Sequence, residues 1–296
     1  MLEAEQYKPV AETYYDYASI FARPYSELND NVDWVKSLYP HQRHGVTEIE
    51  DRLNTFGTAV LADGVGLGKT QTAAGIIRMG IKNHNNQQVL IIAVKNLNDQ
   101  WQEELAVVGV TPLSYQQITR EKFTYLKKGE LDKIAADIDL IIVDEAHLGL
   151  KNRKANAYRK LQYVFDQSNE RIKGLLLTAT PWNNSREDVL NLGSLFLRTD
   201  QIPADRAYHD LFLFGNTAKV IKNLEGDDNA FNQFWSDIFL QRTRRTYGGK
   251  EITFAAREFP TIDIKYDPNK NQLFQSNFDV VAKLSFPYMD PLRYVM

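Results

Sequence analysis

The 296-residue sequence contains no cysteine. Disulfide cross-links and cysteine–zinc sites are thereby excluded, and a reducing compartment fits. No apolar run approaches the roughly 18–20 residues that a membrane-spanning helix needs. The opening Met1-Leu-Glu-Ala-Glu-Gln6 also lacks the basic and apolar regions of a secretory signal. No membrane partner is therefore expected, and the expected setting is the cytoplasm. An excess of one charge is lacking too. Against 38 acidic residues stand 35 Lys and Arg, a net charge of −3. No global field draws the chain to nucleic acid, and any such contact must rest on local donors. Internal repeats and low-complexity tracts are absent. What remains is ordinary globular material, 43% hydrophobic and 25% charged, enough for one large domain or two modest ones.

Residues 1–37 are polar and tyrosine-rich and read as a lead-in segment. A helix is expected over 38–56, where Val46, Ile49 and Leu53 recur at helical spacing. From 58 to about 200, short apolar runs alternate with helical patterns. The strand candidates are Thr58–Leu61, Val89–Val94, Leu140–Val143 and Gly174–Leu177. This alternation predicts an α/β fold, a parallel sheet with helices on both faces. After residue 200 it stops. Asp210 to Leu240 reads as helical and aromatic, with Phe212, Phe214, Phe231, Phe234, Trp235 and Phe239 expected in a core. The expected division is a lead-in over 1–37, a nucleotide-binding lobe over 38–200 and a mostly helical extension over 201–296.

Asp63-Gly-Val-Gly-Leu-Gly-Lys-Thr70 lies between a buried strand and the helical pattern Gln71–Met79. Glycines at 64, 66 and 68 let the backbone turn tightly, so successive amides can point at phosphate oxygens. The helix N-terminus adds partial positive charge. Lys69 can reach the outer phosphates and the Thr70 hydroxyl can hold Mg²⁺. The candidate ATP-binding set is thus Asp63, Gly64, Val65, Gly66, Leu67, Gly68, Lys69 and Thr70. The common phosphate-loop pattern has a glycine where Asp63 stands.

Leu140-Ile-Ile-Val-Asp-Glu-Ala-His147 ends a second buried strand with two carboxylates, 75 residues after Lys69. Ligands of parallel sheets sit at the carboxyl ends of the strands. Asp144 can hold Mg²⁺ through water, and Glu145 can polarise the water that attacks a γ-phosphate. With Lys69, these are the candidate catalytic residues. A metal role for His147 is not expected, since no second histidine lies at ligand spacing. A third strand ends in Thr178-Ala-Thr-Pro181.

Together these motifs resemble the first RecA-like lobe of superfamily-2 helicases, and more narrowly the Swi/Snf-type ATPases with a DEAH box. In that family an aspartate commonly stands where Asp63 does. Leu38-Tyr-Pro-His-Gln-Arg-His-Gly-Val46 resembles the family segment whose glutamine recognises adenine, which implies that role for Gln42. Val89 to Leu105, with Gln100-Trp101, resembles motif Ia. Thr178 to Asn184 resembles motif III, and Lys151-Asn152 follows DEAH closely. Leu240-Gln-Arg-Thr-Arg-Arg-Thr246 before Phe259-Pro260 resembles the arginine-rich segment between the lobes. The usual motif Ia proline is Val94 here, and one extra residue separates His147 from Lys151. The resemblance covers about 38–285.

The resemblance implies ATP and Mg²⁺ as cofactors, and double-stranded DNA as the partner along which the enzyme translocates. It implies backbone contacts to DNA from Lys95, Asn96 and Asn98, and coupling roles for His147, Thr178 and Thr180. It also implies the cytosol or nucleoid of a prokaryotic cell. Asn98 alternatively reads as a helix cap. Trp101 reads as core, at i, i+4 and i+8 with Leu97 and Leu105. Arg242, Arg244, Arg245 and Lys250 can meet phosphates, dock a second lobe or pair with local acids. After residue 266 neither a second sheet pattern nor the family's arginine motifs are found. The chain is expected to be one lobe of a two-lobed enzyme, binding ATP weakly and hydrolysing it very slowly alone. Two other readings stay open: a strand-separating DNA or RNA helicase, and a nucleotide-dependent binding module that does not turn over.

Overall fold

A computed structural model describes residues 28, 32–83, 87–181, 185–214 and 217–242. Several expected features lie outside these residues: nearly all of the lead-in, Trp182-Asn-Asn184, Arg244, Arg245, Lys250, Phe259-Pro260 and the part of the helical extension after residue 242.

In chain order the helices are α1 (Asp33–Lys36), α2 (Pro40–Phe56), α3 (Lys69–Asn83), α4 (Asn98–Val107), α5 (Arg120–Tyr125), α6 (Lys128–Asp137), α7 (Asn156–Gln167), α8 (Arg186–Ser194), α9 (His209–Phe214), α10 (Thr217–Gly226) and α11 (Asp228–Ile238). The strands are β1 (Thr58–Leu61), β2 (Val89–Ala93), β3 (Tyr115–Thr119), β4 (Leu140–Val143), β5 (Lys173–Leu177) and β6 (Phe239–Leu240). They form one six-stranded sheet in the order β3-β2-β4-β5-β1-β6, with every pairing parallel. The α/β expectation with helices on both faces is borne out.

Continuous apolar strands place alternate side chains on opposite faces, and both faces are filled. Ala59, Leu61, Ile91, Ile142 and Leu175 meet α2, α3 and α4 through Val46, Ile49, Ile77, Trp101 and Leu105. Val60, Leu90, Ile141 and Leu176 meet the other helices through Phe123, Ile134, Leu161 and Phe165. Helix α2 starts on Pro40, whose ring suits the first helical position, and ends on Gly57 at φ 76°. Its first turn is closed by the Tyr39 amide, which donates to Gln42 Oε1 at 2.9 Å.

Residues after 200 return to this core. Phe212, Phe231, Phe234 and Phe239 are buried, as the sequence reading expected of the aromatics. Trp235 is half-buried and stacks on Phe239 at 4.4 Å between ring centres. The chain then re-enters the sheet as β6 beside β1.

Gly174 on β5 lies directly under the ring of Phe196, in the turn after α8, and a Cβ there would overlap that ring. Gly174→Ala is expected to cost about 1–3 kcal/mol through overpacking. The check is urea denaturation, with a lowered midpoint and an unchanged slope.

Candidate ATP site

Six parallel strands bring six loops to one edge of the sheet. The loop after β1 carries Asp63 to Gly68, and α3 starts immediately on Lys69. Gly66 (φ 83°) and Gly68 (φ 73°) adopt the left-handed backbone that glycine reaches without a Cβ penalty. Gly68 has a second constraint, because a Cβ there would overlap Gln42 Nε2. Val65 is exposed at the loop tip, while the Leu67 side chain is buried. The Leu67 carbonyl lies 2.9 Å from His41 Nε2 and 3.4 Å from Gln42 Nε2. Gln42 is buried against the loop, and its amide also donates to Gln71 Oε1 at 2.9 Å.

Lys69 Nζ donates to the Asp63 main-chain carbonyl at 3.1 Å. The Asp63 carboxylate is engaged elsewhere. It is fully buried and forms an ion pair with the buried guanidinium of Arg242, which follows β6. Arg242 Nε and its backbone amide both donate to Asp63 Oδ1, at 2.9 and 3.1 Å. The Gly64 amide donates to the Arg242 carbonyl at 2.9 Å, and Arg242 Nη1 donates to the His41 carbonyl. Of the three readings for Arg242, pairing with a local acid is the one observed. The Asp63 carboxylate therefore meets an arginine, and the Lys69 ammonium rests on a neutral oxygen.

Asp144 follows β4, two strands from β1. It is buried, and its Oδ2 accepts the Trp101 indole N–H at 2.9 Å. Burial pushes its carboxyl above the usual range, opposed by the Trp101 and Glu145 amide hydrogen bonds. Trp101 is core as expected, and its bond to Asp144, 43 positions away, has no signature in local spacing. Glu145 holds a left-handed backbone at φ 48°. Its amide donates to Asp144 Oδ1 at 2.8 Å. Arg120 Nη2 donates to the carbonyls of Asp144 (2.8 Å) and Glu145 (3.0 Å). Nothing in sequence spacing marked Arg120, which follows a strand that was not foreseen.

His147 Nδ1 lies 3.2 Å from Glu145 Oε2 and 3.1 Å from Thr178 Oγ1. The Thr180 amide donates to Thr178 Oγ1 at 3.1 Å. His147, Thr178 and Thr180 thus connect the carboxylate after β4 to the loop after β5. Burial, with help from Lys151, Arg120 and Lys69, lowers the His147 pKa against the opposing pull of Glu145. Neutral imidazole therefore predominates at pH 7.

Lys95 and Asn96 are exposed on a 3-10 turn after β2. Asn98 is not the cap of α4. That position is Leu97, without a side-chain bond, and Asn98 Oδ1 accepts from Gln117 Nε2 at 3.0 Å. This group is three strand spacings from β1, roughly 14 Å, so it lines the same edge at a distance from the phosphate loop.

The residues fit ATP with Mg²⁺. The first amides of α3 lack intrahelical acceptors by construction of a helix. Lys69 keeps its charge available, and Asp144, Glu145 and the half-buried Thr70 supply oxygen donors.

The family described as Type III restriction enzyme, res subunit, matches residues 35–113. An uncharacterized ATP-dependent helicase, YqhH, of Bacillus subtilis (strain 168) is 28% identical over 246 residues, covering 79% of this chain and 41% of that protein. The RNA polymerase-associated protein RapA of Yersinia enterocolitica is 34% identical over 224 residues, 66% of this chain and 22% of that protein. The chain thus spans less than half the length of these relatives. In fold, it matches the Sulfolobus solfataricus SWI2/SNF2 ATPase core in complex with dsDNA, with a TM-score of 0.51 at 19% identity. That match covers 77% of this chain and 47% of the other.

Proposed function

We propose that this chain, a Swi/Snf-type superfamily-2 helicase-related ATPase by resemblance, is the first ATP-binding lobe of an enzyme that moves along double-stranded DNA. The observation that carries the ATPase reading is the pairing of Asp63 with Arg242. It leaves the Lys69 charge for phosphates, within an edge that also presents Thr70, Asp144 and Glu145. ATP–Mg²⁺, when bound, supplies the leaving group and the metal that neutralises its charge.

The chain's own groups then divide the work. The main chain from Gly64 to Gly68 holds the inner phosphates, and Lys69 meets the outer ones. Thr70 and Asp144 hold the metal, Asp144 through water. Glu145 orients and polarises the attacking water. Gln42 reads adenine by exchanging its bond to Gln71 for the base. His147, Thr178 and Thr180 pass the state of the γ-phosphate to the neighbouring loop. Lys95, Asn96 and Asn98 meet the DNA backbone. The Sulfolobus core was solved with dsDNA, which supports a duplex over a single strand as partner.

A second lobe contributing an arginine finger completes the site, an addition worth about 10³–10⁵ in rate in related NTPases. The chain alone is accordingly a very slow hydrolase. The boundaries we propose are 1–37, 38–200 and 201–296, and the bacterial relatives support a cytosolic or nucleoid setting.

Lys69→Ala tests the reading. Affinity for a fluorescent ATP analogue with Mg²⁺ is expected to fall at least about 10-fold, the equivalent of one charge-assisted bond of 1.5–3 kcal/mol. Unchanged affinity would remove ATP from this loop.

A further inference from the structure

Glu145 must place its carboxylate at one position, yet its backbone is the costly feature of the site. A non-glycine residue in the left-handed region loses about 1–2 kcal/mol against the right-handed one. Relaxation of φ from 48° to a negative value would swing the Cα–Cβ bond and carry the carboxylate away. Something must hold the turn open. The amide side is held from within, by Asp144 Oδ1. The next amide, of Ala146, donates to the Leu177 carbonyl at 2.8 Å. The carbonyl side is held from outside, by one nitrogen of Arg120.

That nitrogen donates to two successive carbonyls, Asp144 O and Glu145 O. The two carbonyls therefore converge on one cationic nitrogen, which ties both peptide units flanking Glu145 Cα to the same point. Charge-assisted bonds are about twice as strong as neutral ones. Arg120 is placed for this by its own element. Thr119 ends β3 and caps α5, its Oγ1 accepting the Lys122 amide at 3.2 Å. The Arg120 side chain then reaches past the end of β2 to the turn after β4.

We propose that Arg120 is a positioning residue for hydrolysis: it holds the Glu145 turn in the left-handed conformation that points the carboxylate at the attacking water. The inference rests on the ATPase reading above. The bonds Arg120 makes are to main-chain carbonyls of the turn after β4, so its loss should leave ATP binding intact. It also joins the outermost strand to the hydrolytic turn, so anything that shifts the end of β3 shifts Glu145 with it.

The test compares Arg120→Gln and Arg120→Lys with the unaltered protein, each in the enzyme that includes the second lobe. Steady-state ATPase should show kcat lowered about 10²-fold in Arg120→Gln, the scale expected for a displaced catalytic group, with KM for ATP within about twofold. Arg120→Lys should recover part of kcat, since an ammonium can still reach one carbonyl. Hydrogen exchange in the nucleotide-free protein supplies a readout apart from activity. A peptide spanning 144–148 should exchange faster in Arg120→Gln, and the 63–70 peptide should not change. Glu145→Gln, run in parallel, separates the two ideas. If it leaves turnover intact, another group activates the water, and the role given to Glu145 falls together with the positioning role of Arg120. If it abolishes turnover while Arg120→Gln keeps kcat within twofold, or lowers kcat and binding together with a general rise in exchange, the positioning role is overturned.

Discussion

Glu145→Gln is expected to lower ATP turnover by about 10²–10⁴-fold, the usual contribution of a positioned general base, while ATP–Mg²⁺ binding stays within a few-fold. The substitution preserves shape. The glutamine amide oxygen can still accept from His147 Nδ1, now 3.2 Å from Glu145 Oε2, and the backbone bonds from Arg120 are untouched. What disappears is the negative charge that polarises water. The prediction therefore separates chemistry from assembly of the site, which Lys69→Ala does not, because that lysine acts on the phosphates themselves. Single-turnover ATPase and equilibrium binding of a fluorescent analogue make the measurement. Turnover within threefold of the unaltered protein would mean that another group activates the water. Asp144 is poorly suited to that, since it is buried, is held in place by Trp101 and the Glu145 amide, and is assigned to the metal's water.

Much of this site is legible in the sequence, for a definite reason. Strands buried on both faces must be continuous apolar runs, and the four central strands, β1, β2, β4 and β5, are of that kind. Reading them gave the loops that follow them, and with them Lys69, Asp144, Glu145 and Thr178. The two edge strands were not legible. Tyr115-Gln-Gln-Ile-Thr119 is half-buried and polar because only one side of it pairs. Phe239-Leu240 is two residues long and exists through its register with Val60 and Leu61, a contact over about 180 positions that no local window contains. Each unseen strand positions a residue that the reading undervalued: β3 places Arg120, and β6 places Arg242. Asn98 illustrates the reverse error. Its type and position suggested a cap, but the Gln117 side chain on the unforeseen β3 takes its oxygen. Local propensity yielded to a tertiary partner.

The second large effect concerns Asp63, which sequence placed among the nucleotide contacts and whose side chain meets Arg242. Asp63→Leu is expected to lower the Tm of the nucleotide-free protein by roughly 6–20 °C. The estimate follows from about 3–5 kcal/mol for removing one member of a buried ion pair, at about 2–4 °C per kcal/mol for a domain of this size. Arg242 is 3% exposed and cannot turn to water without opening the loop between β1 and α3. Arg242→Met should behave alike, because it strands the fully buried Asp63 carboxylate. The double replacement, Asp63→Leu with Arg242→Met, should regain most of the lost Tm, since apolar residues of similar volume often substitute for a buried pair without penalty. A direct nucleotide contact makes the opposite prediction: Asp63→Leu would leave the nucleotide-free Tm alone and weaken ATP binding, and Arg242→Met could not compensate. ATP affinity in the double variant is the deciding quantity. Lys69 rests on the Asp63 main-chain carbonyl, which neither replacement removes, so a pair that only braces the loop can be exchanged for leucine and methionine and still leave the phosphates their lysine.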